Sequence, residues 1–419
     1  MWKLIYNIFS LCALPVLILA GLTNAKMKPN FRRRLIPPAD DIRPGAAMIH
    51  GASIGEAIIA RNLADYLSTA GSFGHFLITT NTYYAEEMLR KKPVRGYDLR
   101  CEALPFDIGL SVSRFLDHFK PSSIIVVETE IWPNLVWGAR KRNIPLIIVN
   151  GRISDRTLKT YRKLSIFMRS VFSSMDSVIA QSEEHRRRFI SIGMDPDRTF
   201  VTGNVKYYRP AIEGFPDKAG RGAVITFGSV KEKELDEVYA AIDLLKQSFP
   251  GSRYYIAPRE LHLAEDIETE MSRRYSTGRY SRIKGGADAA ADIIVVDTVG
   301  DLQGIYGLSA VAFVGGSLAP YGGQNMLEPL FAGTPVLFGP FTDTFRDIAE
   351  AILQNRAGFL VRTGKDIHGA IVRLLGDEGL YAATQKAGRE IVAQQTHVME
   401  ETARTIMNRL QAARSGGRP

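Results

Sequence analysis

Short apolar runs alternate with stretches of helical period along most of this chain. In the first half the runs are AAMIH, HFLITT, SSIIVVE, IPLIIVN and SVIAQ, and in the second half they are AVITFGS, RYYIAP, DIIVVD, AVAFVGG, TPVLFG and GFLV. Strands that alternate with helices are typical of a parallel sheet whose two faces are covered by helices. The pattern therefore predicts an α/β fold made of two doubly wound, Rossmann-like domains.

The first uncharged run is longer than a strand requires. Leu4 to Leu22 contains 19 residues without a charge, which is about the length of a helix that spans a bilayer. Basic residues gather behind it, and by the positive-inside rule they hold the following domain in the cytoplasm: Lys26, Lys28, Arg32, Arg33 and Arg34. We predict an N-terminal membrane anchor in residues 1–28, with a monotopic helix or a cleaved signal peptide as the alternatives.

A polar stretch that carries Pro and Gly, Lys206 to Gly222, separates the two halves. We predict one domain in residues 29–205, a second in residues 206–395, and a terminal helix and tail in residues 396–419. Two doubly wound domains in sequence imply a cleft between them, and such clefts are favoured binding sites.

Composition narrows the set of partners. The net charge of +9 favours an acidic partner, such as an anionic membrane, a phosphorylated substrate or a nucleic acid. Basic and aromatic residues are not densely interleaved, so we expect no nucleic acid. The two cysteines, Cys12 and Cys101, lack redox or metal spacing, and the seven histidines form no HExxH motif. We therefore predict no protein-bound metal and no other cofactor.

Charged side chains follow several predicted strands of the first half. Glu56, in HGASIGE, falls in the first turn of a helix, where it could accept a proton from a hydroxyl group or simply complement the helix dipole. Glu128 and Glu130, in VVETEIWPN, leave a buried strand, which is costly unless they are hydrogen-bonded or functional. Arg152 could bind a phosphate or a structural carboxylate. Lys206 could offset charge on a departing phosphate or be an ordinary surface lysine.

The stretch from Gly322 to Pro340 is the counterpart in the second half. It follows the apolar run AVAFVGGS, and a helix should start near Asn325, with Glu328 three residues on. Backbone N–H groups there could bind the phosphate of a nucleotide sugar, or the feature could be an ordinary helix cap. Pro258 and Arg259 also follow a predicted strand, and Arg259 could pair with a phosphate.

Seven motifs in this order and spacing resemble those of the 3-deoxy-D-manno-octulosonic acid (Kdo) transferases of lipopolysaccharide assembly: HGASIGE, VETEIWPN, NGRIS, GNVK, APRE, VGGS and GGQNMLEP. The resemblance covers nearly the whole chain. It implies a GT-B glycosyltransferase of the inner (cytoplasmic) membrane that transfers Kdo from CMP-Kdo to a lipid A precursor, lipid IVA, with inversion and without a protein-bound metal.

The resemblance also implies roles for individual residues. Glu56 matches the general base of the family, and Glu128 and Lys206 match residues that stabilise the transition state. Contacts with the donor nucleotide carry over to Pro258, Arg259, Asp301, Leu302, Gln303, Asn325, Met326, Leu327 and Glu328.

Three departures from the family pattern lie on the donor side. Gln324 and Glu260 stand where histidine is usual, and SVKEKE (Ser229 to Glu234) replaces a His-Gly-Glu-like pattern. Glu260 adds negative charge where CMP is expected. Other hypotheses therefore stay open: a GT-B transferase that uses another nucleotide sugar on a membrane lipid, a nucleotide-sugar epimerase of the same fold, or a membrane-tethered homologue that has lost catalysis.

Overall fold

Two separate parallel sheets organise the chain in the computed structural model, which describes residues 2–15, 30–38, 40, 42–71, 73–91, 94, 96–208, 223–284 and 290–415. Residues 1–208 and 395–419 form the first compact unit, and residues 209–394 form the second. The division falls three residues later than the predicted boundary. The terminal segment, which we predicted as a separate piece, belongs with the first unit.

The first unit contains a seven-stranded sheet in the order β3-β2-β1-β4-β5-β6-β7, and all six pairings are parallel. Its strands are β1 Ala47–His50, β2 His75–Thr80, β3 Asp98–Ala103, β4 Ser123–Val127, β5 Leu146–Gly151, β6 Ser177–Ala180 and β7 Thr199–Val201. Its helices are α1 Trp2–Cys12, α2 Phe31–Leu35, α3 Ile54–Thr69, α4 Tyr83–Lys91, α5 Gly109–Phe119, α6 Pro133–Lys141, α7 Asp155–Lys163, α8 Ser165–Phe172 and α9 Glu183–Ser191, with short 3₁₀ turns at Pro196–Arg198 and Val205–Tyr207.

The core of this unit lies on both faces of the sheet. Ile124 and Val126 of β4 belong to one apolar cluster, whereas Ile125 and Val127 belong to another, because successive side chains of a strand point to opposite faces. All five residues of β4 are buried. Burial on both faces explains why the central strands are continuous apolar runs rather than alternating ones.

The second unit repeats this architecture with the order β10-β11-β9-β8-β12-β13-β14, again all parallel. Its strands are β8 Val224–Val230, β9 Arg253–Pro258, β10 Thr277–Arg279, β11 Ile293–Val295, β12 Val311–Val314, β13 Val336–Phe338 and β14 Gly358–Leu360. Its helices are α10 Leu235–Ser248, α11 Leu263–Ser272, α12 Tyr280–Lys284, α13 Leu302–Leu308, α14 Leu327–Phe331, α15 Arg346–Gln354 and α16 Gly364–Gly376, with 3₁₀ turns at Glu232–Glu234 and Asp343–Phe345. Helix α17, Glu378–Arg414, begins in this unit and ends in the first.

Two parallel α/β units of Rossmann type are therefore present, as the apolar pattern predicts. Three strands that the pattern did not predict, β3, β7 and β10, each lie at the edge of a sheet. An edge strand is covered less completely than a central one, so it tolerates polar residues. In β3 the sequence DLRCEA alternates charged and apolar residues and contains no apolar run.

In the N-terminal region the structure describes helix α1 and the segment that begins at Asn30. Across the part of the chain that the structure describes, no helix combines the length and the apolar character needed to cross a membrane. Of the predicted anchor in residues 1–28, residues 1 and 16–28 lie outside the described ranges. Two of the basic residues that follow the predicted anchor form contacts within the first unit. Arg33 pairs with the buried Glu86, and Arg34 donates a hydrogen bond to the carbonyl oxygen of Leu104.

Candidate active site

In each sheet the strand order reverses direction between two central strands. The reversal lies between β1 and β4 in the first unit and between β8 and β12 in the second. In open α/β sheets, ligands bind beyond the carboxyl ends of the strands at such a switch point. Glu56 and Glu128 follow the two strands that flank this point in the first unit.

Glu56 lies at the third position of helix α3 and forms a capping box with Ser53. Its Oε2 accepts hydrogen bonds from the backbone N–H groups of Ala52, at 2.7 Å, and Ser53, at 3.3 Å, while Ser53 Oγ accepts one from the Glu56 backbone. One carboxylate oxygen of Glu56 is therefore engaged in capping the helix. The other oxygen, Oε1, accepts no hydrogen bond within the described residues, so it can receive a proton while Oε2 holds the side chain in place.

Glu128 marks the point at which the chain turns out of strand β4. Its backbone N–H still pairs with the carbonyl oxygen of Val149, at 2.8 Å, but its φ of 61° lies in the left-handed region. The strand ends before Glu130, so the regular alternation of side chains along a strand does not apply to the two glutamates. We call the segment from Glu128 to Trp132 the Glu128–Trp132 loop.

Both glutamates of this loop lie in the electrostatic field of Glu56. Burial raises the pKa of Glu128, and the charge of Glu56 raises it further, whereas Arg152 and Lys206 lower it. Burial also raises the pKa of Glu130, with the charge of Glu56 as the next cause. The structure thus brings together, in one unit, the three residues that the sequence singled out for catalysis and two more that it named as candidates.

Arg152 joins the loop after β5 to the loop after β4. Its Nε lies 3.3 Å from Glu128 Oε2, and its backbone N–H donates to Thr129 Oγ1 at 3.0 Å. The Thr129 hydroxyl donates in turn to the carbonyl oxygen of Arg152. Of the two roles that the sequence left open for Arg152, the structure shows the pairing with a carboxylate. That pairing favours the charged form of Glu128.

Asn150 positions the backbone next to Lys206. Asn150 is buried in the left-handed conformation, with a φ of 56°, and its Oδ1 accepts a hydrogen bond from the Val205 N–H at 3.1 Å. Asn204 Oδ1 accepts one from the Lys206 N–H at 3.0 Å, and the Lys206 side chain is exposed. In the sequence, Asn150 stands out only as the first residue of the NGRIS motif. Asparagine at the end of an apolar strand was the available signal, because it tolerates the left-handed conformation.

In the second unit, Glu234 organises the loop that follows β12. Its carboxylate is fully buried and accepts four backbone hydrogen bonds: Oε2 from Lys231 and Gly316, and Oε1 from Ser317 and Leu318, at 2.6–2.9 Å. The sequence showed this residue only as part of the SVKEKE departure. No local pattern predicts a buried glutamate whose partners lie more than 80 residues away.

Glu260 is paired rather than free. Its Oε1 lies 3.1 Å from Lys231 Nζ, and the same ammonium group lies 4.6 Å from the centre of the Tyr321 ring. Two of the three departures therefore contact each other, and the negative charge that Glu260 adds is offset locally. Arg259 beside it is exposed, and its backbone N–H donates to the carbonyl oxygen of Val230, whereas Pro258 is buried.

The predicted helix after β12 begins two residues later than expected, at Leu327, and is only five residues long. Asn325 caps it, because its Oδ1 accepts a hydrogen bond from the Leu327 N–H at 3.2 Å and its Nδ2 donates to Glu328 Oε1 at 3.3 Å. The side chains of Met326 and Leu327 are buried in the core of this unit. These two residues could contact a ligand only through their backbone.

Asp301 precedes helix α13, and its carboxylate already has partners. It accepts hydrogen bonds from Lys284 Nζ at 2.5 Å and Thr298 Oγ1 at 2.6 Å, and the Lys284 bond lowers its pKa. Leu302 packs against apolar clusters of the unit, and Gln303 is partly exposed. The predicted donor residues thus follow three strands of one sheet, β9, β11 and β12, with β8 between β9 and β12. The described hydrogen bonds do not link the three groups directly.

Comparisons with known proteins agree with one another. Residues 29–209 match the model of a family described as 3-deoxy-D-manno-octulosonic-acid transferase. A 3-deoxy-D-manno-octulosonic acid transferase of Haemophilus influenzae is 27% identical over 94% of this chain and 95% of its own length. A bifunctional glycosyltransferase/methyltransferase of Fusobacterium nucleatum is 31% identical over 83% of this chain, which spans 55% of that relative. A glycosyltransferase of Rickettsia africae, 14% identical with a TM-score of 0.52 over 88% of this chain and 99% of its own, shares the fold.

Proposed function

Since the chain belongs to the Kdo transferase family, we propose that it moves Kdo from CMP-Kdo to a lipid A precursor, lipid IVA, in lipopolysaccharide synthesis. The observation that carries the proposal is the group of Glu56, Glu128 and Lys206 in one unit, at the switch point of its sheet. We further propose a GT-B fold, with the acceptor domain in the first unit and the donor domain in the second.

Each of the three residues has a chemical task in this reaction. Glu56 removes the proton from the acceptor hydroxyl through Oε1, the carboxylate oxygen that its helix cap leaves open. Loss of CMP leaves positive charge at the anomeric carbon, and the Glu128 carboxylate, whose charged form Arg152 and Lys206 favour, stabilises it. Lys206 offsets the charge that develops on the departing phosphate.

The donor is proposed to bind at the carboxyl ends of the strands of the second unit. Arg259 is exposed there and has no side-chain partner among the described residues, so its guanidinium is available for a phosphate. The charge of Glu260 does not oppose this role, because Lys231 pairs with it. We expect Asn325 and Glu328 to contact the donor through side chains and Met326 and Leu327 through their backbone.

A transfer assay with a conservative variant tests the function and the base together. CMP-Kdo generated in situ and a tetraacylated lipid A precursor are incubated with the protein in detergent, and the product is followed by mass spectrometry. Glu56→Gln retains a carbonyl oxygen for the capping box but cannot accept a proton, so transfer should fall at least about a hundredfold while the thermal midpoint is unchanged.

The matched control is Asp366→Asn, which makes the same change in the capping box at Thr363 of the second unit and should transfer at the wild-type rate. Wild-type activity in Glu56→Gln would remove Glu56 from the role of base. Release of a nucleoside diphosphate from another sugar donor, with no mass gain from CMP-Kdo, would favour the alternative transferase.

We also propose that the protein acts at the cytoplasmic face of the inner membrane. Five apolar side chains of α1 are between 49% and 71% exposed, which is an apolar surface suited to a bilayer: Leu4, Ile5, Ile8, Phe9 and Leu11. The net charge of +9 favours the anionic surface on which a phosphorylated glycolipid lies. Binding to anionic vesicles in preference to neutral ones is the measurement that tests this.

A further inference from the structure

Helix α1 does more than present an apolar face, because its other face is bound to the first unit by a buried polar contact. The hydroxyl of Tyr6 donates a hydrogen bond to Asp107 Oδ2 at 2.9 Å. Around this bond the Tyr6 ring packs against Trp137 of α6 and Phe167 of α8, with ring centres 5.9 and 5.8 Å apart. Burial raises the pKa of Tyr6, so its hydroxyl stays protonated and donates at all ordinary pH values.

Asp107 serves at the same time as the cap of helix α6. Its Oδ2 accepts from the backbone N–H of Asn134 at 2.9 Å, and its Oδ1 accepts from that of Leu135 at 3.0 Å. Asn134 Nδ2 also donates to the carbonyl oxygen of Asp107 at 2.7 Å. The residue at the cap position itself is Trp132, whose side chain makes no capping bond. The carboxylate of Asp107, 25 residues earlier in the chain, accepts the hydrogen bonds of the first helical N–H groups instead.

Helix α6 begins where the Glu128–Trp132 loop ends. The start of that loop is held by the pairing of Glu128 with Val149 and by the bonds between Thr129 and Arg152. Its end is held by Pro133 at the first position of α6 and by the Asp107 cap. The orientation of this loop, which carries Glu128 and Glu130, therefore depends on both attachments.

We propose that Tyr6 and Asp107 are positioning residues for the Glu128–Trp132 loop. Helix α1 then helps to fix the geometry of the active site as well as contacting the membrane. This inference rests on the proposed function for its kinetic consequence, but the structural link itself does not depend on the reaction. A single hydroxyl group transmits the position of α1 to the helix that bears the end of the loop.

The test uses the full-length protein and Tyr6→Phe, which removes the hydroxyl and keeps the aromatic ring and its packing. The matched control is Tyr84→Phe, because Tyr84 lies on the surface with 62% of its area exposed and makes no hydrogen bond in the described structure. Asp107→Asn is the second variant, since its amide nitrogen cannot accept a backbone N–H. Amide exchange of peptides covering residues 128–137 is followed by mass spectrometry, together with kcat and the KM for the donor.

In Tyr6→Phe we expect amide exchange in residues 128–137 to rise about tenfold and kcat to fall by a similar factor, the effect of losing one hydrogen bond to a charged group. The KM for the donor should not change, because the proposed donor residues lie in the second unit. Asp107→Asn should show the same pattern more strongly, and Tyr84→Phe should match the wild type in both measurements.

Exchange and kcat at wild-type values in Tyr6→Phe would overturn the proposal. So would exchange that rises equally throughout the first unit, since that result indicates only a loss of stability. A fall in kcat without faster exchange in residues 128–137 would overturn it as well, because the proposed route runs through the cap of α6. Wild-type protein that transfers no Kdo would refute the proposed function, while the exchange measurement would still decide the positioning role.

Discussion

The buried carboxylate of Glu234 offers the sharpest test of how the second unit is held together. Each of its two oxygens accepts two backbone N–H groups, and three of the four belong to the loop after β12: Gly316, Ser317 and Leu318. The substitution Glu234→Gln preserves the size of the side chain. It leaves one carbonyl oxygen and replaces the other oxygen by an NH₂ group that faces two N–H donors.

The expected cost can be worked out from these bonds. Two of the four accepted hydrogen bonds are lost, and a bond to a charged group is worth about 1.5–3 kcal/mol, so the free energy of unfolding should fall by about 3–6 kcal/mol. This is a large part of the roughly 5–15 kcal/mol that stabilises a typical domain. The loop after β12 leads to Asn325, so the KM for the donor should also rise.

The assay is urea unfolding followed by circular dichroism, with amide exchange to locate the change. The matched control is Glu232→Gln, which makes the same substitution two residues earlier at an exposed position and should differ little from the wild type. Exchange should increase mainly in the loop from Gly315 to Leu318 and in the 3₁₀ turn at Glu232–Glu234. A loss of less than about 1 kcal/mol in Glu234→Gln would show that the carboxylate does not hold this loop, since even one such bond is worth more.

Asp107 and the two cysteines supply the remaining predictions. Burial raises the pKa of Asp107 to about 6 from the ordinary 3.8, so the folded protein keeps a proton that the unfolded chain loses between these pH values. The contribution of Asp107 to the free energy of unfolding should therefore fall by about 3 kcal/mol as the pH rises from 3.8 to about 6. The Asp107→Asn variant should lack this dependence. If the free energy of unfolding followed pH in parallel for the wild type and Asp107→Asn, this prediction would be contradicted. A polarity-sensitive dye on the exposed Cys12 should shift to shorter wavelength with anionic vesicles, while Cys101, a buried thiol whose pKa is raised to about 11, stays unlabelled at neutral pH. Emission that anionic vesicles leave unchanged would count against membrane binding through α1.

Much of the fold could be predicted because its central strands are buried on both faces. Strands such as β4 and β12 must be apolar throughout, and an apolar run bounded by helical stretches is visible in the sequence. The edge strands β3, β7 and β10 escaped prediction for the same reason, since partial exposure leaves them without such a run.

The candidate site was partly predictable because parallel strands place their carboxyl ends at one edge of the sheet. Glu56, Glu128 and Lys206 each follow a strand of the first unit, so topology alone was enough to suggest that they meet. The family motifs pointed to the same residues. The actual relation between Glu128 and Glu130 was not predictable, because it depends on the left-handed conformation of a single residue.

The sequence by itself determined which strands are central, which residues stand at their ends, and which family the chain resembles. Only the tertiary structure decided how those residues are held. Glu234 is bound by a loop more than 80 residues away, Lys231 neutralises Glu260, and Tyr6 reaches Asp107 across 101 positions. Periodicity and motifs describe neighbours within a few turns or strands, whereas a buried carboxylate is stabilised by whichever donors the fold brings to it.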